Sequence, residues 1–163
     1  MKYFHIDSKI DKELLNKFLD FCNSNGEDEW TIIIYTVGGW VCMGKTILRI
    51  INLRKDKVTL ILHEAYSSGF YIFYEAKCKK VMCSNGKGMI HIASAEMSVD
   101  ADCNPRYSED ACIIKNWKQS KKEDDNWAKS FLTNKEFKKY KKGVEVYFTS
   151  KRMKQIFPDA EII

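Results

Sequence analysis

Three short segments of this chain carry residues that could together perform acyl transfer. Ser67 stands in HEAYSSGFYIFYEA, ahead of an apolar helical run, and His91 stands in the apolar segment MIHIAS. A serine at the first turn of a helix lies near unpaired N–H groups, and the helix dipole favours negative charge there. The Gly38-Gly39 pair in YTVGGWV adds a turn whose backbone N–H groups could bind an oxyanion. A nucleophile, a base and oxyanion donors are the minimum set for this chemistry.

Each of these residues also has an ordinary structural explanation. A serine ahead of an apolar helix is most often an N-cap, whose side chain binds a first-turn N–H group. A histidine flanked by Ile90 and Ile92 is more often a satisfied core residue than a base. Taken singly, Ser67 and His91 therefore favour structural roles, and only their combination with the glycine turn favours catalysis.

The segment GGWVCMGKT offers a competing interpretation. It satisfies the phosphate-loop pattern G-x-x-x-x-G-K-S/T at Gly39, Gly44, Lys45 and Thr46, between a predicted strand and a predicted helix. A phosphate cradle needs small residues that let successive backbone N–H groups turn inward. Residues 40–43 are Trp, Val, Cys and Met, which better fit the apolar first turn of a helix. A nucleotide-binding module is therefore kept only as a remote alternative.

Length and composition limit the class of protein. The chain has 163 residues, of which 45% are hydrophobic, and this suits one compact domain. The sequence contains no bilayer-spanning apolar run and its start is too charged for a signal peptide, so we predict a cytoplasmic protein without a membrane partner. The net charge of +5 comes with lysines interleaved with acids in the last third. That pattern predicts a solvated helical face and no nucleic-acid partner.

The six cysteines predict reduced thiols, since a disulfide framework is expected in small secreted chains. No C-x-x-C pair occurs, and Cys78, Cys83 and His91 match no familiar set of zinc ligands. We therefore predict no metal site.

Alternating strands and helices must position the candidate residues. After a first helix that stops at Asn25-Gly26, periodicity and turn residues predict strand 30–36, helix 40–53, strand 58–62, helix 67–76, strand 79–83 and an apolar segment 89–94. Such alternation implies crossover connections and a largely parallel sheet, with helical layers on both faces. The predicted fold class is α/β, in a single domain of residues 1–163.

The composition of the sequence changes after residue 94. A polar, turn-rich stretch precedes a long amphipathic pattern, which predicts a helical arm over residues 108–132 within the domain. A second helix then ends at Gly143, VEVYFTS predicts a last strand, and KRMKQIF predicts a short helix before Pro158.

The sequence resembles the Clp protease proteolytic subunit (ClpP) family of serine peptidases in three motifs, which are YTVGGWV, AYSSGFYIFYEA and NGKGMIHIA. In the same order, that family carries a Pro-Gly-Gly turn after a strand, an Ala-Ser-x-Gly turn that opens an apolar helix, and a Met-Ile-His strand. The resemblance runs from about Tyr3 to Ile163. It implies the ClpP/crotonase fold, in which β-β-α-type units repeat around a mostly parallel sheet, and it accounts for the Gly-Gly pair.

The resemblance also implies roles for individual residues. Ser67 matches the nucleophile and His91 the general base. Gly39 and Ser68 match the residues whose N–H groups form the oxyanion hole. The reaction implied is peptide-bond hydrolysis by a serine endopeptidase, with no metal, nucleotide or other cofactor.

The third triad member departs from the family pattern. The family has an aspartate before a strand of the Asp-x-aromatic-apolar-Ser/Thr type, and EVYFT places Glu145 there. A carboxylate with one more methylene can still orient an imidazole if its backbone lies slightly farther away. Asp159 and Glu161 are the alternative carboxylates.

The resemblance implies partners as well. The substrate would be a peptide or unfolded protein that pairs with backbone near the His91 strand, and the protein would form a homo-oligomer. The family's axial loops precede its first strand, whereas here a strand is predicted to start by Tyr3, so an AAA+ unfoldase is kept only as a disfavoured partner. Val37 replaces the proline of the Gly-Gly turn, and the segment after Ser94 departs from the family's glycine-rich stretch.

Three hypotheses follow. The leading one is an ATP-independent ClpP-like serine endopeptidase that self-assembles. The second is a catalytically weak or inactive ClpP-fold scaffold or partner subunit, favoured by Glu145 and by the missing axial loops. The third is the phosphate-loop module.

Overall fold

The computed structural model of this protein describes residues 1–92, 119 and 121–163. The chain divides into two compact units, one made of residues 1–91 and 146–163 and the other of residues 92–145. Within the described residues, no helix combines the length and the apolar character that crossing a membrane requires. The single domain 1–163 stays a prediction.

A mostly parallel sheet forms the first unit. Its strands are β1 (Lys2–Ile6), β2 (Trp30–Thr36), β3 (Val58–Tyr66), β4 (Lys79–Ile90), β5 (Val146–Phe148) and β6 (Glu161–Ile162). The strand order is β1-β2-β3-β4-β5, and β6 also pairs with β4. Every pairing is parallel except that of β4 with β5. The predicted α/β class with a mostly parallel sheet of the ClpP/crotonase type is confirmed.

Helices connect the strands. They are α1 (Lys12–Ser24), α2 (Val41–Leu53), α3 (Ser68–Glu75), α4 (121–129), α5 (Asn134–Lys141) and α6 (Ser150–Ile156). The first three each join consecutive parallel strands, and α2 contacts both α1 and α3. Right-handed crossovers between neighbouring strands place successive helices on the same face of a sheet. The expected helical layers on both faces are therefore wrong for these three helices, which lie side by side.

Strand β4 is longer than predicted and includes an irregular stretch. Leu62 of β3 pairs with Met82, and Glu64, two residues on, pairs with Lys87. Four residues of β4, 83–86, therefore lie opposite the single β3 residue His63. The segments predicted as separate, 79–83 and 89–94, thus belong to one strand up to Ile90 and are kept together by pairing with β3. This pairing carries β3 to the residue before Ser67 and β4 to the residue before His91.

An aromatic core anchors helix α3 beneath the sheet. The ring centroids of Phe70 and Phe148 lie 5.1 Å apart, and those of Phe73 and Phe157 lie 4.9 Å apart. Gly88 of β4 lets Phe70 approach, since a β-carbon there would lie 2.7 Å from that ring. Each such aromatic pair adds about 0.5 to 1.5 kcal/mol beyond its buried area. The packing fixes the helix whose first turn follows Ser67.

The second unit contains α4 and α5. Helix α5 begins with a reciprocal capping box between Thr133 and Glu136, and an ion pair joins Lys141 to Asp125. Residues 121–129 are helical and residues 130–132 are not, whereas residues 108–118 and 120 of the predicted arm 108–132 lie outside the described residues. The arm stays a prediction.

Candidate active site

Ser67 occupies a strained turn between β3 and α3. Its φ of 52° and ψ of −120° make it the one non-glycine residue with positive φ in the described part of the chain. Such a conformation costs about 1 to 3 kcal/mol and persists where the surroundings fix it. Here the Ser67 N–H donates to the Met89 carbonyl at 2.8 Å, and the Ser67 carbonyl accepts from the Tyr71 N–H at 3.1 Å. Sharp, strained strand-to-helix turns of this kind raise a serine hydroxyl above a sheet.

The Ser67 hydroxyl does not cap the helix that it precedes. Ser67 occupies the N-cap position of α3 without a side-chain hydrogen bond to the first turn. By contrast, Asp11, Thr133 and Thr149 cap α1, α5 and α6 with their side-chain oxygens. The capping explanation suggested by the sequence is therefore wrong for this side chain, which is only half-buried.

The Gly38-Gly39 turn lies directly against Ser67 and the residue after it. A β-carbon on Gly38 would lie 2.7 Å from Ser67 Cβ and 3.2 Å from Ser68 N, and its φ is 91°. A β-carbon on Gly39, whose φ is 154°, would lie 2.3 Å from the Ile10 carbonyl oxygen. Both positions therefore require glycine, for space as well as for backbone conformation.

Hydrogen bonds orient the peptide between the two glycines. The Gly38 carbonyl accepts from the Ile10 N–H at 2.9 Å. Because the carbonyl and N–H of a trans peptide point in opposite directions, the Gly39 N–H is directed away from Ile10. Among the hydrogen bonds of the described residues, neither this N–H nor that of Ser68 donates to a protein acceptor. The N–H groups of Gly39 and of Ser68, the residue after Ser67, are therefore the candidates for binding a developing oxyanion.

His91 directly follows β4 and is partly buried. Strand pairing aligns Tyr66 with Met89, so Ser67 and His91 follow the carboxyl ends of two neighbouring parallel strands. The carboxyl ends of parallel strands meet at one edge of a sheet, where ligands bind in open α/β folds. The structure therefore brings the predicted nucleophile and base to one edge.

The candidate carboxylates lie in different places. Glu145 is exposed and is the last residue of the second unit; Val146, which follows it, begins β5 and pairs with Ile90. Glu161 lies in β6 beside Val81 and forms an ion pair with a lysine at the amino end of β4. It and the neighbouring Asp159 are thus far along β4 from its carboxyl end, which His91 follows.

A polar network that the sequence did not reveal lies just before Ser67. The Tyr66 hydroxyl donates to Glu64 Oε2 at 3.1 Å, and Lys87 Nζ lies 3.2 Å from Glu64 Oε1. Burial, and next the hydrogen bond to Glu64, raise the pKa of Tyr66. Glu64 and Tyr66 border a cavity of about 140 Å³ that residues 7–9 and 35–37 also line. In the sequence, the only indication of this network was the strand period of two, which places Glu64 and Tyr66 on one face.

The phosphate-loop pattern lacks its loop. Helix α2 begins at Val41, so six of the eight residues of the pattern are helical, and Lys45 is exposed. The Thr46 hydroxyl donates within the helix to the Cys42 carbonyl at 3.0 Å. Gly44 is explained by packing instead, because a β-carbon there would lie 3.3 Å from the Cβ of Ser68.

The cysteines do not gather into a metal site in the described part of the chain. Cys83 Sγ lies 3.4 Å from His63 Nε2. No group of three or more His, Cys, Asp or Glu residues suited to a metal ion occurs among the described residues.

Comparison with known proteins agrees with this geometry. A model of the Clp protease family matches residues 3–113, more than half of the chain. The match includes the Gly38-Gly39 turn, Ser67 and His91. No curated protein matches the chain. With its fold and its family match, this chain belongs to the Clp protease family.

Proposed function

We propose that this protein is an ATP-independent, ClpP-like serine endopeptidase. Ser67, His91 and Glu145 are its triad, and the N–H groups of Gly39 and Ser68 are its oxyanion hole. The observation that carries the proposal is the strained Ser67 turn, whose hydroxyl caps nothing and which contacts the glycine turn. Family membership makes peptide-bond hydrolysis the reaction expected of such a serine.

The reaction begins with attack of Ser67 Oγ on a peptide carbonyl carbon, while His91 accepts the hydroxyl proton. The carbonyl oxygen becomes an oxyanion, which the N–H groups of Gly39 and Ser68 stabilise. Collapse of this intermediate breaks the C–N bond, and His91 returns the proton to the leaving amine. Water then hydrolyses the acyl-enzyme, with His91 again acting as the base.

Support for His91 as the base comes from the strand register. The Ser67 N–H binds the carbonyl of Met89, two residues before the histidine. The nucleophile turn is thus tied by its own backbone to the strand that ends at the base. A base must come within about 2.6 to 3.2 Å of the proton that it removes, and this geometry often tightens when substrate binds.

Support for Glu145 comes from chain connectivity. Val146, the residue after it, pairs with Ile90, the residue before His91. In this role the carboxylate selects the imidazole tautomer and stabilises the imidazolium that forms. Asp159 and Glu161 are poorer candidates because of their distance along β4.

The substrate is proposed to be a peptide or unfolded protein, bound in extended form near the His91 strand. The cavity beside Tyr66 provides room for one substrate side chain next to the nucleophile. The active form is proposed to be a cytoplasmic homo-oligomer, and measuring the molecular mass in solution tests the assembly.

The test is the intact-protein mass after exposure to a fluorophosphonate serine probe. We expect one adduct in the wild-type protein, none in Ser67→Ala, and one after prolonged exposure in Ser68→Ala. Absence of an adduct from the assembled wild-type protein would contradict the proposal. That result would favour an inactive ClpP-fold scaffold or partner subunit. Such a protein would be equally compatible with the family match.

A further inference from the structure

We propose that the Ser68 side chain is a positioning residue for the oxyanion hole, because its hydroxyl holds the carbonyl of Gly39, the residue that carries the second proposed donor, against the nucleophile turn. This inference rests on the proposed function, but it concerns a different group. The proposed function uses the Ser68 backbone N–H, whereas the inference assigns a task to the hydroxyl.

The Ser68 side chain is confined between two elements. Only 3% of the residue is exposed, and its Oγ donates to the Gly39 carbonyl oxygen at 3.2 Å. On the other side it abuts helix α2, where a β-carbon on Gly44 would lie 3.3 Å from Ser68 Cβ. Buried hydroxyls are nearly always hydrogen-bonded, since an unpaired one loses its hydration without compensation. The hydroxyl is therefore held on the Gly39 carbonyl.

Other hydrogen bonds tie the glycine turn to the side of the sheet that carries β1. The Gly38 N–H donates to Thr36 Oγ1 at 3.0 Å, and the Thr36 hydroxyl donates to the Ser8 carbonyl at 2.6 Å. Ile10 binds the turn through its own N–H and carbonyl. None of these bonds involves helix α3. In the described chain, the Ser68 hydroxyl supplies the side-chain hydrogen bond between the glycine turn and the start of that helix.

The two proposed oxyanion donors are thereby coupled through one residue. One donor is the N–H of Ser68, and the other is the N–H of Gly39, which belongs to the Gly38–Gly39 peptide. The Ser68 hydroxyl holds the next peptide through the Gly39 carbonyl, and so restrains the backbone angles of Gly39 that join the two peptides. Both donors must converge to about 2.7 to 3.1 Å from the same oxygen, and that oxygen is charged only in the tetrahedral intermediate. Loss of the hydroxyl should therefore weaken transition-state binding and leave substrate binding nearly unchanged.

The experiment compares a tetrahedral mimic with a ground-state ligand in the full-length chain. A peptide boronate, which forms a tetrahedral adduct with a serine, serves as the mimic for wild type and Ser68→Ala. The matching peptide, measured by fluorescence anisotropy in Ser67→Ala and Ser67→Ala/Ser68→Ala, serves as the ground-state ligand. Loss of a whole oxyanion donor lowers kcat about 10²- to 10³-fold, so we expect a misplaced donor to cost about 10- to 100-fold in kcat and boronate affinity. Peptide affinity should change less than about twofold, because the interactions that bind the ground state and the transition state equally are unchanged.

Two further variants make the test specific. Thr46→Ala removes a hydroxyl that also donates to a backbone carbonyl, but on the exposed side of α2, and it should match wild type in every assay. Ser68→Cys keeps a weak donor of similar size and should give intermediate values. Ser68→Cys also takes the place of Ser68→Ala in the test if the alanine variant does not fold.

Each outcome decides between the two proposals. A wild-type protein with neither a fluorophosphonate adduct nor boronate affinity contradicts the proposed function, and the inference falls with it. If Ser68→Ala or Ser68→Cys binds the boronate as tightly as wild type does, that result contradicts only the role of the hydroxyl. Equal losses of boronate and peptide binding show general disruption, which also overturns the positioning role.

Discussion

Gly38 and Ser67 contact each other across two turns, so closely that a β-carbon on the glycine would lie 2.7 Å from the serine Cβ. The same β-carbon would lie 2.5 Å from the Tyr66 carbonyl oxygen. This approach holds the proposed nucleophile against the glycine turn, whose backbone carries a proposed oxyanion donor. The contact needs both the missing side chain of Gly38 and the strained backbone of Ser67.

Replacing Gly38 with alanine should therefore damage both stability and activity. Gly143→Ala is a matched control, since its φ is 75° and a β-carbon there meets nothing within 4 Å. The control should lose about 1 to 2 kcal/mol of unfolding free energy from backbone strain alone. Gly38→Ala should lose more, because steric overlap adds to the strain, and should reduce peptide turnover at least about tenfold. Urea unfolding and peptide cleavage measure the two effects; equal losses of stability in the two variants would show that the contact is looser than described.

Glu145→Gln should keep the fold and greatly lower peptide turnover. The amide cannot stabilise an imidazolium, and losing an orienting carboxylate costs up to about 10⁴-fold in kcat. Glu13→Gln removes a carboxylate of the same size from a surface ion pair on α1 and should have no effect. Steady-state kinetics with a fluorogenic peptide provides the measurement. Unchanged turnover in Glu145→Gln would mean that another group orients His91.

Lys45→Ala should leave peptide turnover and thermal stability unchanged. Lys45 is exposed in the first turns of α2, where no phosphate cradle exists. For the same reason, ATP with Mg²⁺ should not raise the Tm of the wild-type protein. By comparison, a ligand that binds specifically and is present at 100 times its Kd would raise the free energy of unfolding by about 2.7 kcal/mol. A Tm increase that Lys45→Ala abolishes would revive the nucleotide-binding interpretation.

Three of the four described thiols should react with iodoacetamide in a defined order. Cys42 is exposed, whereas burial raises the pKa of both Cys22 and Cys78 from 9.0 to about 11. Because the thiolate is the reactive form, Cys42 should be alkylated first at pH 8, and the other two should accelerate as the pH nears 11. Peptide mapping by mass spectrometry gives the order. Early modification of Cys78 in the folded protein would contradict its burial.

The thiols of Cys22 and Cys78 predict a loss of stability at alkaline pH. In the unfolded chain each loses its proton near pH 9, but in the folded chain it retains the proton to about pH 11. The unfolded state then binds fewer protons than the folded state, so the free energy of unfolding falls as the pH rises through this window. Burial raises the pKa of Tyr140 to about 12, which acts in the same direction. Urea unfolding from pH 8 to 11 should show the decrease, with a shallower slope in Cys78→Ala; an identical slope would exclude a contribution from this thiol.

Local signals in the sequence were sufficient for the elements that carry the site. Apolar periodicity and turn residues predicted β2, α2 and the start of α3 to within a few residues. These signals are local because strand and helix periods depend on residues close in the chain. The motifs around Gly39, Ser67 and His91 also carried the family resemblance, which the family match confirms.

Other features depended on residues distant in sequence. Pairing with β3 decides that β4 continues through residues 83–86, and no local pattern contains that information. The same holds for the face on which helices α1 to α3 lie, which strand order determines.

The sequence by itself determined which residues are candidates for a nucleophile, a base and backbone donors, because residue type and turn chemistry are local properties. Only the tertiary structure decided how they meet. It brings Gly38 against Ser67, directs the Gly39 N–H away from Ile10, and buries the Ser68 hydroxyl on a carbonyl 29 residues away. Those relationships arise from packing between separate strand-to-helix turns, whose distances no single segment encodes.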